Sequence, residues 1–306
     1  VTAPLLVSAY PLSPAHAQWD PALEAELLPA LCALPGVAGL EVPWMGGLHP
    51  HDDDWFLAHV PGVPLAVTPV PFVMRRVGED PRYGLASPDA EGRAAAVADL
   101  RRVAADVVRL RDESAAHVAV VTLHTAPRAT GDAAALARSL DEVTALDWSG
   151  AVLAIEHCDA HVPDRTPEKG FLPLADEIAA IRLADVPVGL WLNWGRSAIE
   201  LRDADAVTAQ IADAAASGLL TGLALSGAAP VESPYGYPWI DAHLPIADTH
   251  PASRSLLDRA HVAAALTAAG DVAWLGLKVA RRPDDRTVAD ILRTATANLD
   301  LVRASA

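Results

Sequence analysis

Residues 151–161 read AVLAIEHCDAH. A short apolar run bounded by Gly150 passes straight into Glu156, His157, Cys158, Asp159 and His161. A run that is apolar at consecutive positions, rather than at alternate ones, is the pattern of a strand covered on both faces. Such strands belong to parallel sheets flanked by helices. In these folds ligands bind at the carboxyl ends of the strands, because the loops leaving those ends form the mouth of the site. Glu156 is therefore the first candidate for a chemical role. The fold then depends on whether the rest of the chain repeats this unit.

It does. Towards the N-terminus, strand-like runs fall at 4–10, 37–42, 65–73 and 118–123; towards the C-terminus they fall at 186–192, 219–225 and 272–279. Helix-like segments alternate with them. The first opens at Asp20-Pro21, a capping residue with proline at the first helical position, and closes near Pro35-Gly36. The clearest spans 93–112, where Val97, Leu100, Val103, Val107 and Leu110 recur at spacings of three and four. Others are predicted at 133–146, 174–183, 204–216, 253–269 (a Ser cap, with Gly270 as its stop) and 287–302. Residues 51–60 form a short, poorly defined segment.

Eight strand–helix units, about 35 to 40 residues each, match an α/β fold of the (β/α)8 TIM-barrel type. A doubly wound sheet is the competitor, but the chain has no GxGxxG or GxxxxGK[ST] phosphate loop. No linker rich in Gly, Ser or charge divides it, so a single domain over 1–306 is expected. Two connections, 74–92 and 227–252, are too long for plain turns and read as lids or binding loops. The second, with Tyr235, Tyr237, Trp239, Asp241 and His243, is read as a lid.

Composition narrows the function. A net charge of −16 argues against a nucleic-acid surface, which needs clustered Lys and Arg. No apolar run reaches the ~18 to 20 residues of a membrane span. Apolar residues make up 52% of the chain and mean hydropathy is +0.22, enough for a large core. Cys32 and Cys158 form no CxxC and no disulfide pattern, and no export signal is seen at the start, so a cytoplasmic location is expected. A small-molecule substrate suits this profile.

A barrel brings the strand ends to its mouth, and with them Glu41, Trp44, His124, Glu156, His157, Asn193, Trp194, Arg196, Ser226 and Lys278. Glu156 and His157 point to opposite sides if both are extended. Lys278 ends an otherwise buried strand, where an amine must find a partner or lose its proton. Trp44, Trp194 and Trp239 are candidates to stack on a sugar face, with His243 beside them in the lid, whereas Trp191 is read as core. Asp52-Asp53-Asp54 reads as a solvated helix start, Arg281-Arg282 as surface and Cys158 as a small buried residue. Two carboxylates with a His or Lys suit proton transfer on a carbon next to a carbonyl. A divalent metal (Mn, Mg, Co or Zn) on ligands such as Glu156 and His124 would polarise that carbonyl.

The acid in IEHCDAH, with GLEVPW at 39–44 and LHT at 123–125 in support, resembles the xylose-isomerase-like TIM barrels: sugar isomerases, epimerases, inosose dehydratases and endonuclease IV. The resemblance covers nearly the whole chain and points to a bacterial branch of that superfamily. It implies a divalent metal held by acids and a His at the ends of strands five to eight, with a metal-flanking Glu pair moving the proton. Glu156 matches the strand-five ligand. Asn193 stands where the strand-six Asp is usual, Ser226 at the strand-seven position, and Lys278 in place of the strand-eight Glu. Either a rearranged metal site uses Glu156 with Asn193, His124, His157 or His243, or the metal is gone and Lys278 takes over its electrostatic role. The multi-zinc endonuclease signature is absent.

The leading expectation is a sugar isomerase or epimerase, or a lyase acting on a keto-sugar, with Glu156, Glu41, Lys278 and His124 as catalytic candidates. Trp44, Asn193, Trp194, Arg196, Ser226, Trp239 and His243 are the substrate-binding candidates. The alternatives are a Schiff-base lyase or aldolase on Lys278, a glycoside hydrolase, and a non-catalytic sugar-binding barrel. Association into a homo-oligomer is expected by analogy alone.

Overall fold

The computed structural model describes residues 3–305; residues 1, 2 and 306, at the ends of the expected 1–306 domain, lie outside the described residues. Eight strands form a closed barrel in sequence order: β1 Leu5–Ser8, β2 Val37–Pro43, β3 Pro64–Thr68, β4 His117–Leu123, β5 Val152–Glu156, β6 Val188–Asn193, β7 Leu220–Leu225 and β8 Trp274–Leu277. The helices are α1 Ala9–Leu12, α2 Pro21–Cys32, α3 Asp53–His59, α4 Val70–Glu79, α5 Ala90–Glu113 and α6 Ala133–Thr144. They continue with α7 Leu174–Ala184, α8 Trp194–Leu201, α9 Ala204–Ala216, α10 Arg259–Ala269 and α11 Val288–Ala304. No helix among the described residues is long and apolar enough to cross a membrane.

Strands covered on both faces explain the continuous apolar runs. All six residues of β6 and all four of β1 are buried. The helices turn one stripe inward, and in α5 Val97, Leu100, Val103, Val107 and Leu110 are all buried, at the predicted spacing.

Four sequence expectations need correction. The run at 65–73 is not one strand: β3 stops at Thr68 and α4 begins at Val70. Pro69 and Pro71 cannot donate to a sheet ladder, but they fit the first turn of a helix, where the N–H has no partner anyway. The expected strand at 4–10 likewise ends at Ser8, and α1 starts at Ala9. The undefined segment 51–60 contains α3, capped by Asp52, whose side chain accepts from Trp55 N. The helix expected at 253–269 begins at Arg259, because Asp258 caps it through His261 N.

Contacts divide the chain into two compact units, Val1–Glu41 with Leu192–Ala306, and Val42–Trp191. In the second unit the connection after α4 is a packed wedge rather than a lid. Tyr83, Leu85, Ala86 and Ser87 are buried, and Ala86 N donates to Ala126 O at 2.9 Å. Gly84, at φ +152°, permits this approach, since a Cβ there would lie 2.1 Å from the carbonyl of Ala126. In the first unit the stem of 227–252 is also fixed. Gly227 and Leu244 exchange backbone hydrogen bonds of 2.9 and 3.0 Å, and Ile246 N donates to Asn298 Oδ1. The outer part carries exposed Val231 and Tyr237.

Candidate active site

In the first unit, strand register assembles one polar cluster. β1 pairs Ser8 with Glu41 on β2 and Val7 with Leu277 on β8, so Ser8, Glu41 and Lys278 lie side by side at one level. Lys278 Nζ donates to Glu41 Oε1 at 2.6 Å, and Ser8 Oγ donates to Glu41 Oε2. The Lys278 side chain is 0% exposed and that of Glu41 8%. A lysine on a buried strand needs a partner, and here the partner is a carboxylate. In such a pair the attraction roughly offsets the loss of hydration, but either charge left alone is costly.

A second chain of contacts lies in the same unit. Arg196 Nε donates to Asp241 Oδ2 at 3.1 Å, with side chains 1% and 5% exposed. Asp241 Oδ1 is 3.4 Å from His243 Nδ1, which is also 3.2 Å from Ser226 Oγ. Nε2 of the same ring is 3.3 Å from the Tyr10 hydroxyl, and the Tyr10 ring centroid lies 5.5 Å from Lys278 Nζ. Arg196, Ser226 and His243, three expected substrate-binding residues, are thus joined through Asp241.

The other candidates of this unit face elsewhere. Asn193 Oδ1 accepts from Gly195 N and Arg196 N at 3.1 and 3.4 Å, capping α8. Trp194, the first residue of α8, is 0% exposed and packs edge-on against His261 of α10, so it offers no sugar platform. Trp239 packs against the Arg202 guanidinium, 4.3 Å from its ring centroid. Arg281 and Arg282 brace a turn by donating to Asp285 O and Thr249 O.

In the second unit, β4 pairs Leu123 with Ile155 of β5, so the next residues, His124 and Glu156, lie side by side. His124 Nε2 is 3.2 Å from Glu156 Oε2, with side chains 0% and 1% exposed. Because a carboxylate only accepts, the imidazole N–H is the donor. Thr68 Oγ1, ending β3, is 3.5 Å from the same oxygen. His157 turns the other way, as strand alternation requires. Its Nδ1 is 2.8 Å from Glu177 Oε2 on α7, and Thr125 Oγ1 donates to Glu177 Oε1 at 2.8 Å. Trp44 is buried: Nε1 donates to Asp106 Oδ2 on α5 at 2.7 Å, and its ring packs edge-on against Phe72. Burial, the largest of the causes, holds the Asp106 carboxyl above its ordinary range despite that hydrogen bond. Cys158 is buried, and Asp52 to Asp54 form the start of α3.

Sequence reading missed Ser8, Tyr10, Thr68, Asp241, Thr125 and Glu177 as partners. Ser8 had a usable signal, the first polar residue after LLV; taking the strand on to Tyr10 hid it. Glu177 looks like any acid in a helix's first turn, and only the tertiary fold turns it inward.

The divalent cation implied by the family resemblance can be tested against the donors at the ends of β6 to β8. Asn193 Oδ1 is engaged by two backbone N–H groups, and Ser226 supplies a neutral hydroxyl near His243. β7 and β8 pair Leu225 with Leu277, so Ser226 ends its strand beside Lys278, an ammonium. Hard cations need anionic or carbonyl oxygens around them, and a buried ammonium repels them. This donor set does not fit a divalent cation.

Residues 6–294 match the family model described as a domain of unknown function, DUF4862. The chain belongs to this family. This DUF4862 chain is 37% identical over 270 residues to an uncharacterized protein of Salmonella typhimurium, covering 86% of this chain and 84% of the other. Its fold is that of the xylose-isomerase-like TIM barrels. One similar solved structure is an L-ribulose 3-epimerase, with TM-score 0.61, 17% identity, and 98% and 94% of the two chains covered. Another is a D-allulose 3-epimerase from Methylomonas in complex with D-allulose, with TM-score 0.57, 12% identity, and 99% and 97% covered. A third is a 3-keto-D-glucoside 4-epimerase from E. coli, with TM-score 0.53, 14% identity, and 99% and 100% covered.

Proposed function

We propose that this chain is a carbohydrate isomerase or epimerase that moves a proton on a carbon next to the carbonyl of a sugar or keto-sugar. The observation that carries the reading is the buried Glu156–His124 pair at adjacent strand ends, 3.2 Å apart. A carboxylate fixed by an imidazole at the carboxyl end of a barrel strand is equipped to take a proton from carbon and return it. The electron pair left by the C–H bond passes to the carbonyl oxygen as an enediolate. Reprotonation at the former carbonyl carbon, with the hydroxyl proton passing from one enediol oxygen to the other, isomerises the sugar, and reprotonation of the same carbon from its other face epimerises it. The kinship in fold with three sugar epimerases supports the substrate class.

The Schiff-base alternative has less support. It needs an unprotonated amine, whereas Lys278 Nζ, with no exposed side-chain surface, donates to a carboxylate at 2.6 Å. The test is solvent exchange. Aldoses, ketoses and 3-keto-sugars are incubated with the protein in deuterium oxide and followed by proton NMR. Loss of an α-proton signal, or appearance of the isomer, abolished in Glu156→Gln, is the expected result. If no sugar in the panel exchanges, with or without added divalent metal, the reading fails.

A further inference from the structure

The misfit at the ends of β6 to β8 deepens the isomerase reading, on which it rests. We infer that the ends of β6 to β8 hold no divalent cation, and that the fixed positive charge there is the Lys278 ammonium, clamped by Glu41.

Three independent features of the first unit lead to this. The amide of Asn193 is committed to the fold. Its oxygen holds the first turn of α8, and the adjacent Gly195 lets that turn lie against β7, since a Cβ there would come within 2.8 Å of Ser226 O. Ser226 shares hydrogen-bond distance with His243 Nδ1, on an imidazole whose other nitrogen faces the Tyr10 hydroxyl. Lys278 has no exposed side-chain surface, and its ammonium is bound to the carboxylate of Glu41, which the Ser8 hydroxyl holds from the other oxygen. An amide committed to a helix cap, a hydroxyl committed to an imidazole network and a buried cation cannot together replace the hydration shell of a metal ion.

Lys278 therefore acts as a positioning residue. Its ammonium balances the Glu41 charge and holds one carboxylate oxygen, while the Ser8 hydroxyl holds the other.

The experiment measures metal on the resting protein, with no sugar present, so its outcome is separate from that of the exchange screen. Protein purified without chelator or His tag is analysed for Mn, Co, Zn and Mg, then titrated with Mn2+ while the electron paramagnetic resonance signal of free Mn2+ is followed. Less than about 0.1 equivalent bound at 1 mM Mn2+ is the expected result. A stoichiometric ion whose affinity falls tenfold or more in Ser226→Ala overturns the inference. An ion indifferent to that substitution lies away from the ends of β6 to β8 and leaves the inference standing. The His16–Glu24 pair, 3.3 Å apart elsewhere in the first unit, is where such an ion would be sought with His16→Ala.

Discussion

The two polar clusters use the same residue type in opposite ways. Glu41 meets an ammonium: Lys278 at 2.6 Å, with side chains 8% and 0% exposed. Glu156 meets an imidazole: His124 at 3.2 Å, with side chains 1% and 0% exposed. A carboxylate bound to an ammonium is held in place. A carboxylate bound to an imidazole has a neighbour that can itself take or give a proton near neutral pH. The first arrangement suits a fixed electrostatic framework and the second suits proton traffic. Strand register builds both, since each pair sits at matching positions of strands that are hydrogen-bonded neighbours or share one.

The contrast is sharpest in activity. Glu156→Gln keeps the shape and removes the base, so exchange of the sugar α-proton should fall about 10²- to 10⁴-fold with little change in unfolding midpoint. An unchanged exchange rate would remove Glu156 from the chemistry and with it the asymmetry between the clusters. Stability reads the other half. Lys278→Met leaves Glu41 buried without its cation and should cost about 3 to 5 kcal/mol in urea unfolding. The double variant Glu41→Leu/Lys278→Met should recover most of that loss. If the single variant costs under about 1 kcal/mol, the pair is not a rigid framework.

Trp44 offers a finer division. Trp44→Phe removes the donor to Asp106 and should cost about 1.5 to 3 kcal/mol, the range for hydrogen bonds to charged groups, with ligand affinity intact. A loss of sugar binding with stability unchanged would restore Trp44 as a platform. The smallest effect is expected at a surface site. Asp290 is held well below the ordinary carboxylate range by the Thr287 hydroxyl, then by the backbone N–H groups of Thr287 and Arg286. A carboxyl with a lowered folded-state pKa stabilises the native chain fully above the unfolded value, about pH 4, and loses that contribution as pH falls further. Urea midpoints of wild type and Asp290→Asn should therefore converge between about pH 4 and pH 2. Failure to converge would mean that the acid sensitivity of the fold lies elsewhere, with the clusters the first place to look.

Much of this was legible in the sequence. β5 and Glu156 stood out because an apolar run switches abruptly to polar residues where the strand ends. Lys278 stood out because a charge sits in a buried run. The alternation of strands and helices identified the barrel. α4 was lost because VPFV pairs strand-favouring side chains with prolines that act as helix starters, so side-chain preference and backbone capacity disagreed. α8 was lost because NWGR reads as a turn until Asn193 is seen to cap it. The partners of the candidate residues were out of reach for a different reason. Ser8 and Glu41 are 33 residues apart, and Glu41 and Lys278 are 237 apart. Only the closure of the barrel brings them together, and no local pattern encodes a pairing over that distance.

The Glu41–Lys278 pair also constrains how this chain can change. Either residue replaced alone strands a buried charge, at a cost of about 3 to 5 kcal/mol against a typical total stability of about 5 to 15. A library that varies one codon at a time will therefore find this corner of the barrel closed to new chemistry. Both codons have to be varied together before the mouth of this barrel can be re-engineered to carry a cation.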